Sequence, residues 1–105
     1  MTDEDKKIVA EYMGWYEVMV EDPMNKGVME KIITKHNHAE AYFDLNDAGL
    51  CVEEMVKRGE WEDFVVFVEE TPENRESLIT WNQLIAWLFN VDNFFTAFVE
   101  WRRSK

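Results

Sequence analysis

The apolar positions of the chain change period along its length, and each period predicts an element. Ile8, Val9, Tyr12 and Met13 recur at helical spacing. Thr2 before them is a good N-cap. Asp3, Glu4 and Asp5 suit the positive end of a helix dipole, and Gly14 is placed for a left-handed C-cap. A first helix is therefore expected over 3–13. From Trp15 to Glu21 the period drops to two, with Tyr16, Val18 and Val20 on one face, which reads as a strand. Asp22-Pro23 and Asn25-Lys26-Gly27 are turn signals, and Val28 to Thr34 is a second strand. Residues 35–38 read as a connection and Ala39 to Leu45 as a third strand. A helix is expected from Asn46 or Asp47 to Arg58. Asn46 is its N-cap, Gly59 its stop, and Ala48, Val52, Met55 and Val56 its inner face.

The remainder is helical with one exception. Trp61 to Val68 fits a helical stripe through Trp61, Phe64, Val65 and Val68, but Val66 and Phe67 fall off it and the Val-rich run favours a buried strand. A strand is the expectation. Thr80 and Gln83 form a capping box that opens a helix carrying Trp81, Leu84, Ile85 and Leu88. Asp92 is the expected cap of a final helix with the stripe Phe94, Phe95, Phe98, Val99 and Trp101, and Arg102, Arg103 and Lys105 suit its negative end. Together these elements predict an α+β fold: a small sheet of three to four strands covered by three to four helices, with a helical C-terminal third.

Composition fits this picture. The 105 residues are 47% hydrophobic and 14% aromatic, enough for one domain, 1–105, with a real core. The single Cys51 rules out an intramolecular disulfide, and the acidic N-terminus is the reverse of a signal peptide. The apolar runs fall far short of a membrane span. A cytoplasmic protein is expected.

Charge changes the picture most. There are 22 Asp and Glu against 11 Lys and Arg, net −11. Such a chain repels DNA, RNA and anionic lipid, so direct nucleic-acid or membrane binding is not expected. The excess is uneven. Residues 36–70 hold 10 acids and 2 bases, net −8, whereas residues 71–105 hold 4 of each.

Candidate chemistry is sparse. His36 and His38 share a side if they lie on a strand, but no paired-cysteine or His-x-x-x-His pattern accompanies them, and two polar residues in a surface turn is the simpler reading. Cys51 sits on a predicted helix among acids, which raises a thiol pKa, so it reads as a buried small hydrophobe. Carboxylate pairs such as Glu40 with Asp44, or Glu53 with Glu54, arise freely by chance among 22 acids. No catalytic residue, metal or cofactor is expected.

The acidic middle third is where function is expected to reside. Asp44, Asp47, Glu53, Glu54, Glu60, Glu62 and Asp63 can imitate the phosphate row of a duplex, which carries a charge about every 1.7 Å of axis. Such a surface docks on the basic groove of a nucleic-acid enzyme with a fast, salt-sensitive on-rate. The alternative is a homo-oligomeric structural or accessory protein, a homodimer through the C-terminal helices. There Trp87, at the flank of its stripe, would be the interface anchor.

The opening Ile8 to Trp15, with its Met13-Gly14-Trp15, resembles the start of small phage and prophage proteins of the "phage ABA sandwich" type. Asn46-Asp47-Ala48 through Val52-Glu53-Glu54-Met55 is similar to their central helix, and Phe94 to Trp101 to their closing helix. Glu54 stands where that pattern commonly has lysine. The resemblance covers about half of the chain and implies a phage or mobile-element origin, with no site residues to carry over. The combined expectation is a non-enzymatic phage-type protein acting in the host cytoplasm. It would bind a basic surface of a host protein, as a DNA mimic that inhibits a restriction or CRISPR effector.

Overall fold

The computed structural model describes residues 1–71 and 81–105. Its elements run α1 (Asp3–Met13), β1 (Tyr16–Glu21), β2 (Met29–Thr34), α2 (Leu45–Lys57), α3 (Trp61–Glu70), α4 (Trp81–Leu88) and α5 (Val91–Arg103). The α+β class holds, and the C-terminal part is helical. The expected capping-box residue Thr80 lies outside the described residues.

α1 forms as its sequence dictates. The Thr2 hydroxyl accepts from the Asp5 N–H, and Asp5 reaches back to the Thr2 N–H, so two orphan donors are satisfied. Gly14 closes the helix at φ +72°, where a side chain would be strained. Two other caps sit earlier than expected. Asp44, not Asn46, caps α2, and Asn90, not Asp92, caps α5 by accepting from the Asp92 and Asn93 N–H groups.

The sheet has two described strands, β1 and β2, paired antiparallel from Tyr16↔Thr34 to Glu21↔Met29. The expected third strand does not form. Residues 39–45 make one bridge, Thr34↔Glu40, and then leave the sheet. The reason is local. The N–H groups of Tyr42 and Phe43, which a strand would offer to a neighbour, both donate to the Asp47 carboxylate at 2.8 and 2.7 Å. Phe43 is moreover held at φ +55°, which ends any extended run.

Trp61 to Val68 is a helix, not a strand. Phe64, Val65 and Val68 are buried and Trp61 packs against the core, while Val66 is 48% exposed. Burying a full Phe or Val side chain is worth about 1.5–3 kcal/mol. The helix penalty of a Val is about 0.7 kcal/mol or less, so the four-residue stripe outweighs local propensity.

α5 is the hub and touches α1, α2, α3 and α4. Its Phe94, Phe98 and Trp101 mesh with Phe64 of α3 and Tyr12 of α1 in a chain of aromatic contacts with centroids 5.1–6.3 Å apart. The hairpin packs on this body only near its base. Ile33 and Thr34 are buried, whereas both strands are exposed at their far ends. The molecule is correspondingly elongated, 52 × 25 × 22 Å. No helix among the described residues is long and apolar enough to cross a membrane.

Candidate functional site

The seven acids expected to form one docking surface fall into three environments. Asp47 is wholly buried. Its carboxylate binds the Lys35 Nζ at 2.8 Å and the Tyr42 and Phe43 N–H groups, so it fastens the loop before α2 to the end of β2. It presents nothing to a partner. Asp44 is exposed, but its oxygen accepts from the Asp47 N–H at 3.0 Å as the cap of α2.

Three more acids are taken up by cations of the same chain. Glu54 pairs with Arg58 one turn later at 2.8 Å, which holds its carboxyl below the ordinary range. Glu60 accepts from the Tyr12 hydroxyl at 3.0 Å and faces Arg102 at 3.7 Å. Burial first, and then Glu60, pushes the Tyr12 phenol up to about 12. Asp63 receives Lys105 and the Trp101 indole N–H, the latter at 2.8 Å, and Lys105 is the main reason its carboxyl is held low. Arg58 and Arg102 also stack on the Tyr12 ring, at 4.0 and 4.9 Å from its centroid. Arg102 of α5 and Lys105 just beyond it thus cross the fold to neutralise acids some 40 residues away, and no unbroken row of charge runs from 44 to 63.

Glu53 and Glu62 remain. Both are exposed and neither makes a hydrogen bond or ion pair with a described residue. The structure adds two acids that sequence reasoning passed over, Glu69 and Glu70, exposed at the end of α3. Glu62 and Glu69 are seven residues apart on one face, about 10 Å along the axis, with exposed Val66 between them. The signal was present in the sequence. α3 contains four acids and no base, and its last turn carries two acids where a helix dipole favours cations. Reading the segment as a strand hid it.

Trp87 is half-buried and packs against the core, so it is not the exposed aromatic of its helix. Trp81 is, and Phe89 just past the end of α4 is exposed at 64%. Phe89 borders a shallow apolar groove between α2 and α4 with Leu45, Gly49, Val52 and Ile85 on its walls.

His36 and His38 lie in the turn after β2 and are exposed. The His36 Nε2 is 3.0 Å from the Met13 carbonyl oxygen and the His38 Nδ1 3.2 Å from the Tyr16 hydroxyl, so each ring serves a different contact. Among the described residues no three His, Cys, Asp or Glu side chains group so as to hold a metal ion. Cys51 is completely buried in α2. Burial, and secondarily Asp47, pushes its thiol up to about 12, so it stays protonated and out of reach. Comparison with family models, with curated proteins and with solved structures finds no match to this chain.

Proposed function

We propose that this chain is a non-enzymatic protein that binds a basic surface of a partner protein through the outer face of α3. Glu62, Glu69 and Glu70 are its principal contacts, with Glu53 of α2 as a further exposed acid. In its sharpest form it is a phage-encoded DNA mimic that inhibits a host defence enzyme by occupying its nucleic-acid groove. One observation carries the reading. Both acids in the last turn of α3 oppose the helix dipole and hold no cation among the described residues, although Asp63 on the same helix has Lys105. Each such carboxylate costs roughly 0.3–1 kcal/mol of helix stability, and a cationic partner removes that cost on binding. Local rules broken without compensation among the described residues point to functional surface. The buried, protonated state of Cys51 argues in the same direction against nucleophilic chemistry.

The test is capture from a bacterial lysate, followed by competition of the captured protein with duplex DNA. Binding is expected to fall steeply between about 50 and 200 mM salt, as phosphate-like contacts do. It should be lost when Glu62, Glu69 and Glu70 are all replaced by Lys, and kept when Glu54 and Glu60 are replaced by Gln. Capture that is insensitive to the triple reversal would sink the proposal. Salt-independent self-association lost on changing Trp87 would favour the homo-oligomeric accessory protein instead.

A further inference from the structure

One face of α2 is turned away from the core. Leu45, Gly49, Val52 and Val56 follow at i, i+4, i+7 and i+11, an exposed or half-exposed stripe about 16 Å long. Its first three residues form one wall of the groove between α2 and α4, and Ile85 and the exposed Phe89 form the other. No residue that lines the groove has a polar side chain. An occupant must therefore satisfy its own backbone hydrogen bonds, as a helix does and an extended segment does not. Gly49 points the same way. Unlike Gly14, Gly27 and Gly59 it has no positive φ, and a Cβ at this position would meet no described atom within 4 Å. Neither the backbone nor the described packing asks for glycine there, although glycine weakens a helix interior relative to alanine. What a bare Cα in a groove wall provides is room for a second backbone to approach.

We propose that this groove docks an amphipathic helix of a partner protein, its apolar stripe against Gly49 and Phe89 and its flanks carrying Lys or Arg. The site goes beyond the α3 reading and uses other elements, with only Glu53 common to both. Charge selects the occupant. Within three positions of the lining residues the sequence has five acids, Asp44, Asp47, Glu53, Glu54 and Asp92, and no base. Asp47 is buried, Asp44 caps α2 and Glu54 holds Arg58. Glu53, one turn after Gly49, and Asp92, just beyond Phe89, are exposed and pair with no described cation. Free carboxylates at the margins of an apolar groove match basic residues on either side of an apolar stripe. A second copy does not supply such a helix from its described residues. α3 has four acids and no base, α4 has no charge, the stripes of α1 and α5 are buried in the fold, and that of α2 is the groove wall itself. Two chains of net charge −11 also repel each other.

The probe is a fluorescent Leu/Lys peptide of about 18 residues, five helical turns, with leucine at i, i+3, i+4 and i+7. A peptide of the same composition in scrambled order is the control. Fluorescence anisotropy at physiological salt, where distant surface charges are screened, is expected to show micromolar binding of the helical peptide. The scrambled one should bind about tenfold more weakly or worse. Gly49→Leu fills the groove and Phe89→Glu charges its rim, and each should weaken binding about tenfold or more. Leucine is also a better helix former than glycine, so Gly49→Leu should melt higher than the wild type while it binds less. Replacing Glu62, Glu69 and Glu70 by Lys should leave peptide binding within about threefold, so that the groove and α3 are read separately. Equal binding of the two peptides overturns the proposal, as does undiminished binding by Gly49→Leu and Phe89→Glu. Loss in the α3 variant alone would place the peptide on α3, overturning the groove and leaving the α3 reading intact. A wild-type dimer in sedimentation that Phe89→Glu dissociates would put a second copy in the groove and overturn the proposal as well.

Discussion

Asp47 and the outer acids of α3 are the same chemistry in opposite surroundings. Asp47 lies inside the protein and spends its oxygens on Lys35 and two backbone N–H groups. Glu62, Glu69 and Glu70 lie outside and spend theirs on no described residue. Both belong to the one acidic stretch that gives residues 36–70 a net charge of −8. Membership of a charge run therefore says little about availability. What separates the two groups is whether the fold brings a donor to them. Glu60 stands between: half-buried, it accepts from Tyr12 and faces Arg102 without being sealed off.

The largest effect that tests this contrast is expected at Asp47. Asp47→Ala strands the Lys35 ammonium beside the core and leaves the Tyr42 and Phe43 N–H groups without an acceptor. Breaking a buried pair by removing one partner costs about 3–5 kcal/mol. At roughly 4–8 °C per kcal/mol for a domain near this size, thermal denaturation should fall by tens of degrees. A fall of only a few degrees would mean that Asp47 is an ordinary surface acid, and the division drawn between it and α3 would collapse.

The parts of this division that could be read from the chain are the local ones. α1 and α5 were legible because the stripes and stop signals agreed: Thr2 and Gly14 bracket one apolar face, and Phe94, Phe95, Phe98, Val99 and Trp101 fix the other. The absent third strand was not legible, because what prevents it is the reach of Asp47 back to residues 42 and 43 together with the positive φ of Phe43. The helix at 61–70 was half legible. Its stripe was visible, but its solvent face carries Val66, which propensity alone assigns to a strand. The acidic surface was least legible. Which carboxylates stay free depends on Arg102 and Lys105 arriving from the other end of the chain, and no spacing rule connects position 105 with position 63.

An intermediate effect is expected at Tyr12, which reports on the intermediate acid. Its phenol is raised from an ordinary 10 to about 12, by burial and by donating to Glu60. A group whose folded pKa lies above its unfolded value contributes stability that is complete below the unfolded value and is lost as pH rises through the folded one. The loss should therefore run from about pH 10 to 12 and be on the order of 2 kcal/mol. Denaturant midpoints measured across that window should fall in the wild type and fall less in Tyr12→Phe. Equal slopes would detach Glu60 from the interior and place it with the exposed acids.

The smallest effect belongs to the exposed side and has the opposite sign. Glu69→Lys with Glu70→Lys replaces two carboxylates at the negative end of α3 by two cations. A favourable charge in a last turn is worth roughly 0.3–1 kcal/mol and an unfavourable one costs a similar amount. The double variant should consequently be more stable than the wild type by at least about 1 kcal/mol, a gain that shrinks as salt screens it. Chemical denaturation at low and at high salt measures it. A gain here, beside a loss of partner capture in the same variant, would separate what α3 contributes to the fold from what it contributes to binding. A loss of stability would instead mean that Glu69 and Glu70 are held by contacts within the chain, and the reason for treating α3 differently from Asp47 would be gone.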